Sequence, residues 1–232
     1  MTSSPRPLRD LSTYVAPAPQ PVSLAGRYVE LEPWDRATHL LALWEALGGE
    51  GGLNELIRFF PVEDYDAPDG FGDMLDEQNA DAGWITLVAR ATATSEVVGM
   101  ASYMRADPAN GVVEVGAVAH GPAMARTPLA TELHFLMARH AFEELGYRRY
   151  EWKCDDRNEA SRAAAERYGF TYEGVFRQHM VSRGRNRDTA WFAMIDADWP
   201  AIGGAFEAWL DPANFDADGG QLRRLEEFRA AP

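Results

Sequence analysis

The sequence predicts an α+β domain built on a mixed, mostly antiparallel sheet with helices on both faces. Three short apolar segments, 84–90, 97–103 and 112–118, follow one another with turn residues between them, which is the pattern of an antiparallel meander. Helical periodicities over 128–145 and 159–168 then alternate with apolar segments at 148–153, 170–177 and 189–195. Strands joined through a helix run parallel, so 112–118 and 148–153 should be parallel neighbours in an otherwise antiparallel sheet.

Taken in order, residues 1–25 carry Pro5, Pro7, Pro17, Pro19 and Pro21 with few apolar side chains. They read as an arm, either extended on the domain or disordered. The domain is expected over 26–198, with 199–232 as a C-terminal helical extension. Residues 27–31 alternate as a strand that Pro33 stops, and Asp35 opens a helix in which Leu40, Leu43, Trp44 and Leu47 recur at helical spacing. The cluster Gly48, Gly49, Gly51, Gly52 is expected to end that helix, and a shorter one covers 70–79. Asp107-Pro108-Ala109-Asn110-Gly111 forms the turn of the second hairpin. Pro128 suits the first turn of the next helix, Phe135, Ala138, Phe142 and Leu145 make its inward stripe, and Gly146 closes it. Gly169 closes the 159–168 helix, and helical pieces are expected at 199–210 and 222–229.

Composition removes several function classes. The 232 residues include 22 Lys and Arg against 36 Asp and Glu, a formal charge of −14, which disfavours the phosphate backbone of nucleic acid as a partner. The charge is uneven. Residues 121–190 hold 12 basic and 10 acidic side chains, leaving 10 and 26 for the rest. The one cysteine, Cys154, rules out an internal disulfide and a Cys-rich zinc site; lacking a nearby His, it reads as a packing residue rather than a nucleophile. No apolar run approaches the ~20 residues that cross a bilayer and no apolar signal core starts the chain, so a cytoplasmic protein without metal is expected.

Three motifs carry a family resemblance: Val113-Glu114-Val115-Gly116-Ala117 on a strand, Ala130-Thr131-Glu132 opening a helix, and Asn158-Glu159-Ala160-Ser161 leading to Tyr168-Gly169-Phe170. In this order and spacing the chain, over 26–198, resembles the GNAT acyltransferase superfamily, most closely the ribosomal-protein N-terminal acetyltransferases and their small-molecule relatives. The resemblance implies a GNAT-like sheet with a splayed parallel strand pair, acetyl-CoA as donor, and a primary amine as acceptor, whether a small molecule, an aminoacyl derivative or a protein N-terminus. Related enzymes are monomers or homodimers.

The physics of each motif agrees. A strand that splays from its parallel neighbour leaves backbone groups at Ala117, Val118 and Ala119 free to bind an amide-bearing chain such as pantetheine. The N-terminus of the following helix, with Arg126, Thr127, Ala130 and Thr131, is an anion site suited to a pyrophosphate. The family's usual glycine there is Pro128, which cannot donate, and its Arg or Gln is Ala125. By resemblance Asn158 holds pantetheine and Ser161 protonates the leaving thiolate, the family's tyrosine acid being replaced by Ala165; either residue could equally serve as a helix cap. An aliphatic amine is neutral in roughly one molecule per thousand at pH 7, so a proton acceptor is required. Glu114 is the first candidate, with an arginine ion pair as its alternative. Met180 stands where the ribosomal branch has a glutamate, which brings in Glu173 and His179, and His120 reads as a structural histidine.

Arg183-Gly184-Arg185-Asn186-Arg187 reads as a solvated hairpin turn, which the resemblance sets near the family's substrate cleft, with room for an anionic group on the substrate. Trp34, Trp44, Phe59, Phe60 and Tyr65 are concentrated in the first helices, the side from which the resemblance implies the acceptor enters, and are core residues by default. The Pro128, Ala165 and Met180 departures keep a second class open, a catalytically weak acyl-CoA-binding or interaction module.

Overall fold

The computed structural model describes residues 10–229; the ends of the arm and of the tail, residues 1–9 and 230–232, lie outside them. One sheet of eight strands runs in the order β1-β2-β3-β4-β5-β6-β8-β7. Its strands are β1 (Leu24–Ala25), β2 (Val29–Pro33), β3 (Ile85–Ala91), β4 (Val97–Asp107), β5 (Val112–His120), β6 (Arg149–Asp155), β7 (Thr171–Ser182) and β8 (Arg185–Ile195). Every pairing is antiparallel except β5 with β6, the expected parallel pair.

Three helices, α1 (Arg36–Ala46), α2 (Gly49–Ile57) and α3 (Pro68–Asp81), cover one face over β3 and β4, where Leu43, Leu53, Phe71, Val88 and Met100 form a core. The other face carries α4 (Pro128–Arg139), α5 (Glu159–Tyr168) and α6 (Trp199–Trp209) over a larger core that includes Leu133, Trp152, Phe192 and Phe206.

Asp35 caps α1 by accepting from the Thr38 N–H at 2.8 Å. The glycine cluster does not simply end that helix. Gly48, at φ 91°, breaks it, but 49–57 forms a further helix, α2. Gly52 permits this because a Cβ there would sit 2.5 Å from the Leu47 carbonyl oxygen, so only a bare backbone can approach the end of α1 so closely. The helix expected over 128–145 also changes character. From His140 to Glu144 it widens into a π-turn, with the Leu145 N–H bonded to the His140 carbonyl at 3.0 Å. The Tyr103 hydroxyl donates to the Met137 carbonyl at 2.7 Å just before this point, an intrusion into the helical ladder.

The arm lies on the domain where it is described. Ala16 is buried and its N–H reaches the Pro108 carbonyl at 3.2 Å, and Leu24 pairs with Leu31, so the sheet begins two residues before Gly26. The 199–232 extension shares the main core: Phe206 and Trp199 stack on Phe135 at 5.7 and 6.2 Å. The helix expected over 222–229 is reduced to a 3-10 turn at Leu225–Glu227. Buried Asn214 holds the preceding backbone extended, donating to the Arg223 carbonyl at 3.2 Å and accepting its N–H at 3.0 Å.

Glu132 fastens α4 to the sheet edge. Its buried carboxylate accepts the N–H groups of Arg27, Tyr28 and Val29 at 2.8, 2.5 and 2.7 Å. Removing it strands three donors in the β1–β2 turn, so Glu132→Ala is expected to lower unfolding free energy by about 3 kcal/mol in urea titration, and Glu132→Gln by less.

Candidate active site

The parallel pairing of β5 and β6 ends at Val115 and Trp152. Beyond that point β6 continues on its other edge, with Lys153, Cys154 and Asp155 opposite Trp191, Ala190 and Thr189 of β8. β5 bulges between Gly116, opposite Ser102, and Ala119, opposite Met100, with Ala117 at φ 48°. Ala117, Val118 and Ala119 therefore lie on a segment with no strand along its β6 side, and their backbone groups on that side face the gap.

A cleft of about 940 Å³ reaches from His120, the last residue of β5, to the start of α4. The Thr127 hydroxyl donates to the Met124 carbonyl at 3.0 Å, so no side chain caps α4. Pro128 occupies the first helical position, where an N–H would have had no helical partner, and the amides of Leu129 and Ala130 remain outside the ladder. Thr131 is one turn in and presents its hydroxyl, which receives Arg167 at 3.0 Å. Arg126, at φ 60°, and Arg167 both line the cleft, and the Arg167 guanidinium lies 5.1 Å from the Trp209 ring centre. The opposite wall comes from Leu47 and Gly52 at the α1–α2 junction and from Gly219, Gly220 and Gln221 of the tail. Arg167, Trp209 and the tail were not singled out from the sequence. Only a basic residue in the last turn before Gly169-Phe170 hinted at the first; the others arrive by long-range packing.

Asn158 caps α5, its Oδ1 accepting the Ser161 N–H at 3.1 Å, while its Nδ2 has no hydrogen-bond partner among the described residues. The Ser161 hydroxyl accepts the Trp152 indole N–H at 2.9 Å and neighbours the sulfur of Cys154. Burial pushes that thiol up, against the opposing effect of the Ser161 contact. Ala165 and Tyr168 are core residues, and burial pushes the Tyr168 hydroxyl up to about 12.

The opposite face of the gap carries a chain of ion pairs. Arg105 meets both Glu114 oxygens at 2.8 and 2.9 Å, and Lys153 bridges Glu114 and Glu151 at 2.8 Å each. Arg149 then links Glu151 at 2.6 Å to Glu173 at 2.6 and 2.8 Å. Burial pushes the Glu151 carboxyl up, but Lys153 and Arg149 outweigh it and hold it below the usual range. Neither Glu114 nor Glu173 has a carboxylate free to take a proton without breaking a contact. His179 uses Nδ1 on the Thr189 hydroxyl at 3.0 Å and leaves Nε2 without a hydrogen bond among the described residues. The β7–β8 hairpin closes over this face, with Arg183 reaching Asp64 at 2.7 Å. Among the described residues no three His, Cys, Asp or Glu side chains are placed to hold a metal ion.

A half-buried histidine of the cleft wall, His120, backs onto a buried one, His134. His120 and His134 pack at 5.2 Å, and His134 lies 4.3 Å from Tyr168. Neither nitrogen of His134 nor Nε2 of His120 has a partner. Burial holds His120 down to about 4 and His134 well below its usual value, with His120 and Arg167 adding to the effect on His134. The unfolded chain binds protons at about pH 6.5 where the folded one does not, so stability is full above that pH and is lost as pH falls toward 4. The slope is about 1.4 kcal/mol per pH unit for each histidine. His134→Phe should therefore lose less stability than the parent between pH 7 and 5 in chemical denaturation.

A family model described as "Acetyltransferase (GNAT) domain" matches residues 29–171. A GCN5-related N-acetyltransferase from Brucella melitensis is 42% identical over 94% of this chain and 99% of its own, at a TM-score of 0.89. A GNAT-family structure from Chromobacterium violaceum is 36% identical over 86% and 99%, at 0.77. An acetyltransferase from Salmonella typhimurium, which modifies the N-terminal serine of ribosomal protein L7/L12, shares the fold at 20% identity over 73% and 96%, at 0.62. No curated protein matches the sequence. With the family's domain over most of its length and close full-length structural relatives, this chain belongs to the GNAT acetyltransferase family.

Proposed function

We propose that the protein transfers an acetyl group from acetyl-CoA to a primary amine, directly and within one ternary complex. The observation that carries this reading is the parting of β5 from β6 after Val115 and Trp152, on a strand whose last residue, His120, lines a cleft that also contains the uncapped start of α4. Acetyl-CoA supplies the activated acyl group. The residues fit its anionic end: the amides of Leu129 and Ala130 with Arg126 and Arg167 would hold the pyrophosphate. The free edge of Ala117, Val118 and Ala119 and the Nδ2 of Asn158 suit the pantetheine amides. Backbone donors on that edge would polarise the thioester carbonyl.

In the transfer a C–N bond forms as the C–S bond breaks. The amine proton passes to a base, the departing thiolate takes a proton from the Ser161 hydroxyl, which the Trp152 indole orients, and solvent water returns a proton to Ser161 as the base releases its own, so that the turnover is proton-neutral. His179 is the proton acceptor in this reading because Glu114 and Glu173 are committed to cations. Glu114 becomes the floor of the acceptor face rather than its base.

Release of CoA thiol, measured with acetyl-CoA and a panel of amines, amino-acid derivatives and N-terminal peptides, tests the reading. Turnover on an amine is expected; tight acetyl-CoA binding without turnover on any amine would favour a binding module. Ser161→Ala should lower kcat roughly a hundredfold with acetyl-CoA affinity unchanged. Arg167→Ala should instead weaken CoA binding about tenfold or more in calorimetry, the loss of a charge-assisted contact.

A further inference from the structure

Arg187 of β8 is only 8% exposed, and its Nε is wholly enclosed. Among the described residues its guanidinium makes no hydrogen bond and no ion pair. Arginine stays charged in any protein environment and carries five donors and no acceptor. Leaving such a group buried without a counter-charge costs several kcal/mol. The surrounding arginines are treated differently: Arg105, Arg149, Arg157, Arg162 and Arg183 each hold a carboxylate.

The carboxylates that could have neutralised Arg187 are spent elsewhere. Asp155 is gripped by Arg157 at 2.9 and 2.7 Å, and Glu114 is shared by Arg105 and Lys153. Both still lie within electrostatic reach of Arg187, as does Arg105, and Arg187, paired with Met180 on β7, stands two residues from Thr189, which pairs with Asp155 at the end of β6. Alternation along β8 puts Arg187 on the same face as Thr189 and Trp191. Thr189 lies opposite Asp155, the last residue of β6. The Trp191 indole N–H is likewise buried without a hydrogen-bond partner among the described residues. Guanidinium and indole offer donors only, so the group that complements them must bring acceptor oxygens.

We propose that Arg187 receives an anionic oxygen group, a carboxylate or a phosphate, carried by the acceptor amine itself. This rests on the acetyl-transfer reading above and narrows its substrate class to amines with a negatively charged partner group. β8 neighbours β6 at one strand spacing, about 4.8 Å, so a short chain between amine and anion suits the site.

The test compares matched acceptors: ω-amino acids against their carboxamides, and aminoalkyl phosphates against the corresponding amino alcohols. The parent enzyme should favour the anionic member of one set at least tenfold in kcat/KM, and the set that shows it distinguishes carboxylate from phosphate. Arg187→Met should bring that ratio close to one, and Arg187→Lys should keep part of it. Equal rates on charged and neutral members, or a preference that survives in Arg187→Met, would overturn the proposal. Thermal unfolding separates recognition from a structural role. Arg187→Met should unfold at the same or a higher temperature, whereas a fall of several degrees would assign the guanidinium to the fold and defeat the inference. If no amine is acetylated, the function reading itself has failed. Arg187 is then judged with CoA-saturated protein and inorganic phosphate: a rise in Tm absent from Arg187→Met supports an anion site, and equal responses overturn it.

Discussion

The parting of β5 from β6 after Val115 and Trp152 sets the rest of the structure, because two central strands can separate only if each is held firmly by another neighbour. β6 is held by seven paired positions on β8, from Arg149 to Asp155. β5 is held by β4, at the expense of a bulge with Ala117 in the left-handed region, a conformation that costs a non-glycine residue about 1 kcal/mol or more. That local strain keeps Ala119 in register with Met100 and turns the edge of 117–119 toward the gap. α4 must then begin beside the opening, and Glu132 secures its first turns to the far edge of the sheet through the β1–β2 turn.

The same gap divides the charge. The near neutrality of residues 121–190 is one of count, 12 basic against 10 acidic side chains, while the chain from Arg105 through Glu114, Lys153, Glu151 and Arg149 to Glu173 is three cations against three anions. Such pairing adds little net stability once desolvation is counted, but it leaves a floor without free charge. Arg126 and Arg167 at the cleft, and Arg187 on the other face, have no carboxylate partner among the described residues. Uncommitted positive charge thus remains on both sides of the point where β5 and β6 part.

Where a feature depended on neighbours in sequence, it could be read in advance. α5 spans 159–168 as expected because both of its ends are written locally, in the cap of Asn158 and in Gly169 at φ 96°. The parallel pair followed from a helix between two apolar segments. α2 was hidden because its glycines argue against a helix in isolation and matter only through the approach of Gly52 to Leu47. At the site, Asn158 and Ser161 stood out by motif, and the Asn158 side chain caps α5 through Oδ1 while its Nδ2 has no hydrogen-bond partner among the described residues. Glu114 stood out as a candidate base with an arginine ion pair as its alternative, and it is ion-paired with Arg105 and with Lys153. Its partners Arg105 and Lys153 lie on two different strands, and no local pattern shows that both would converge on it. Arg167, Trp209 and Gln221 meet only after the tail folds back across α5, so their shared wall has no sequence signature.

On the proposed transfer to an amine, two ranges of electrostatics act on an approaching acceptor. The acidic remainder of the chain, 26 carboxylates against 10 cations outside 121–190, attracts an ammonium group from a distance, though screening at physiological salt limits that pull to about 8 Å from the surface. Such a field raises encounter rates for any cationic amine and distinguishes poorly among them. Selection has to come from contact, where the low dielectric enlarges each interaction and where Arg187 offers donors that the protein leaves unanswered. An amine bearing its own anion satisfies both ranges, its ammonium drawn by the envelope and its anion received by the one buried guanidinium at the gap without a carboxylate. A purely cationic amine would satisfy only the first. On the acetyl-transfer reading attraction and recognition are therefore separate, the first carried by the acidic remainder of the chain and the second by Arg187.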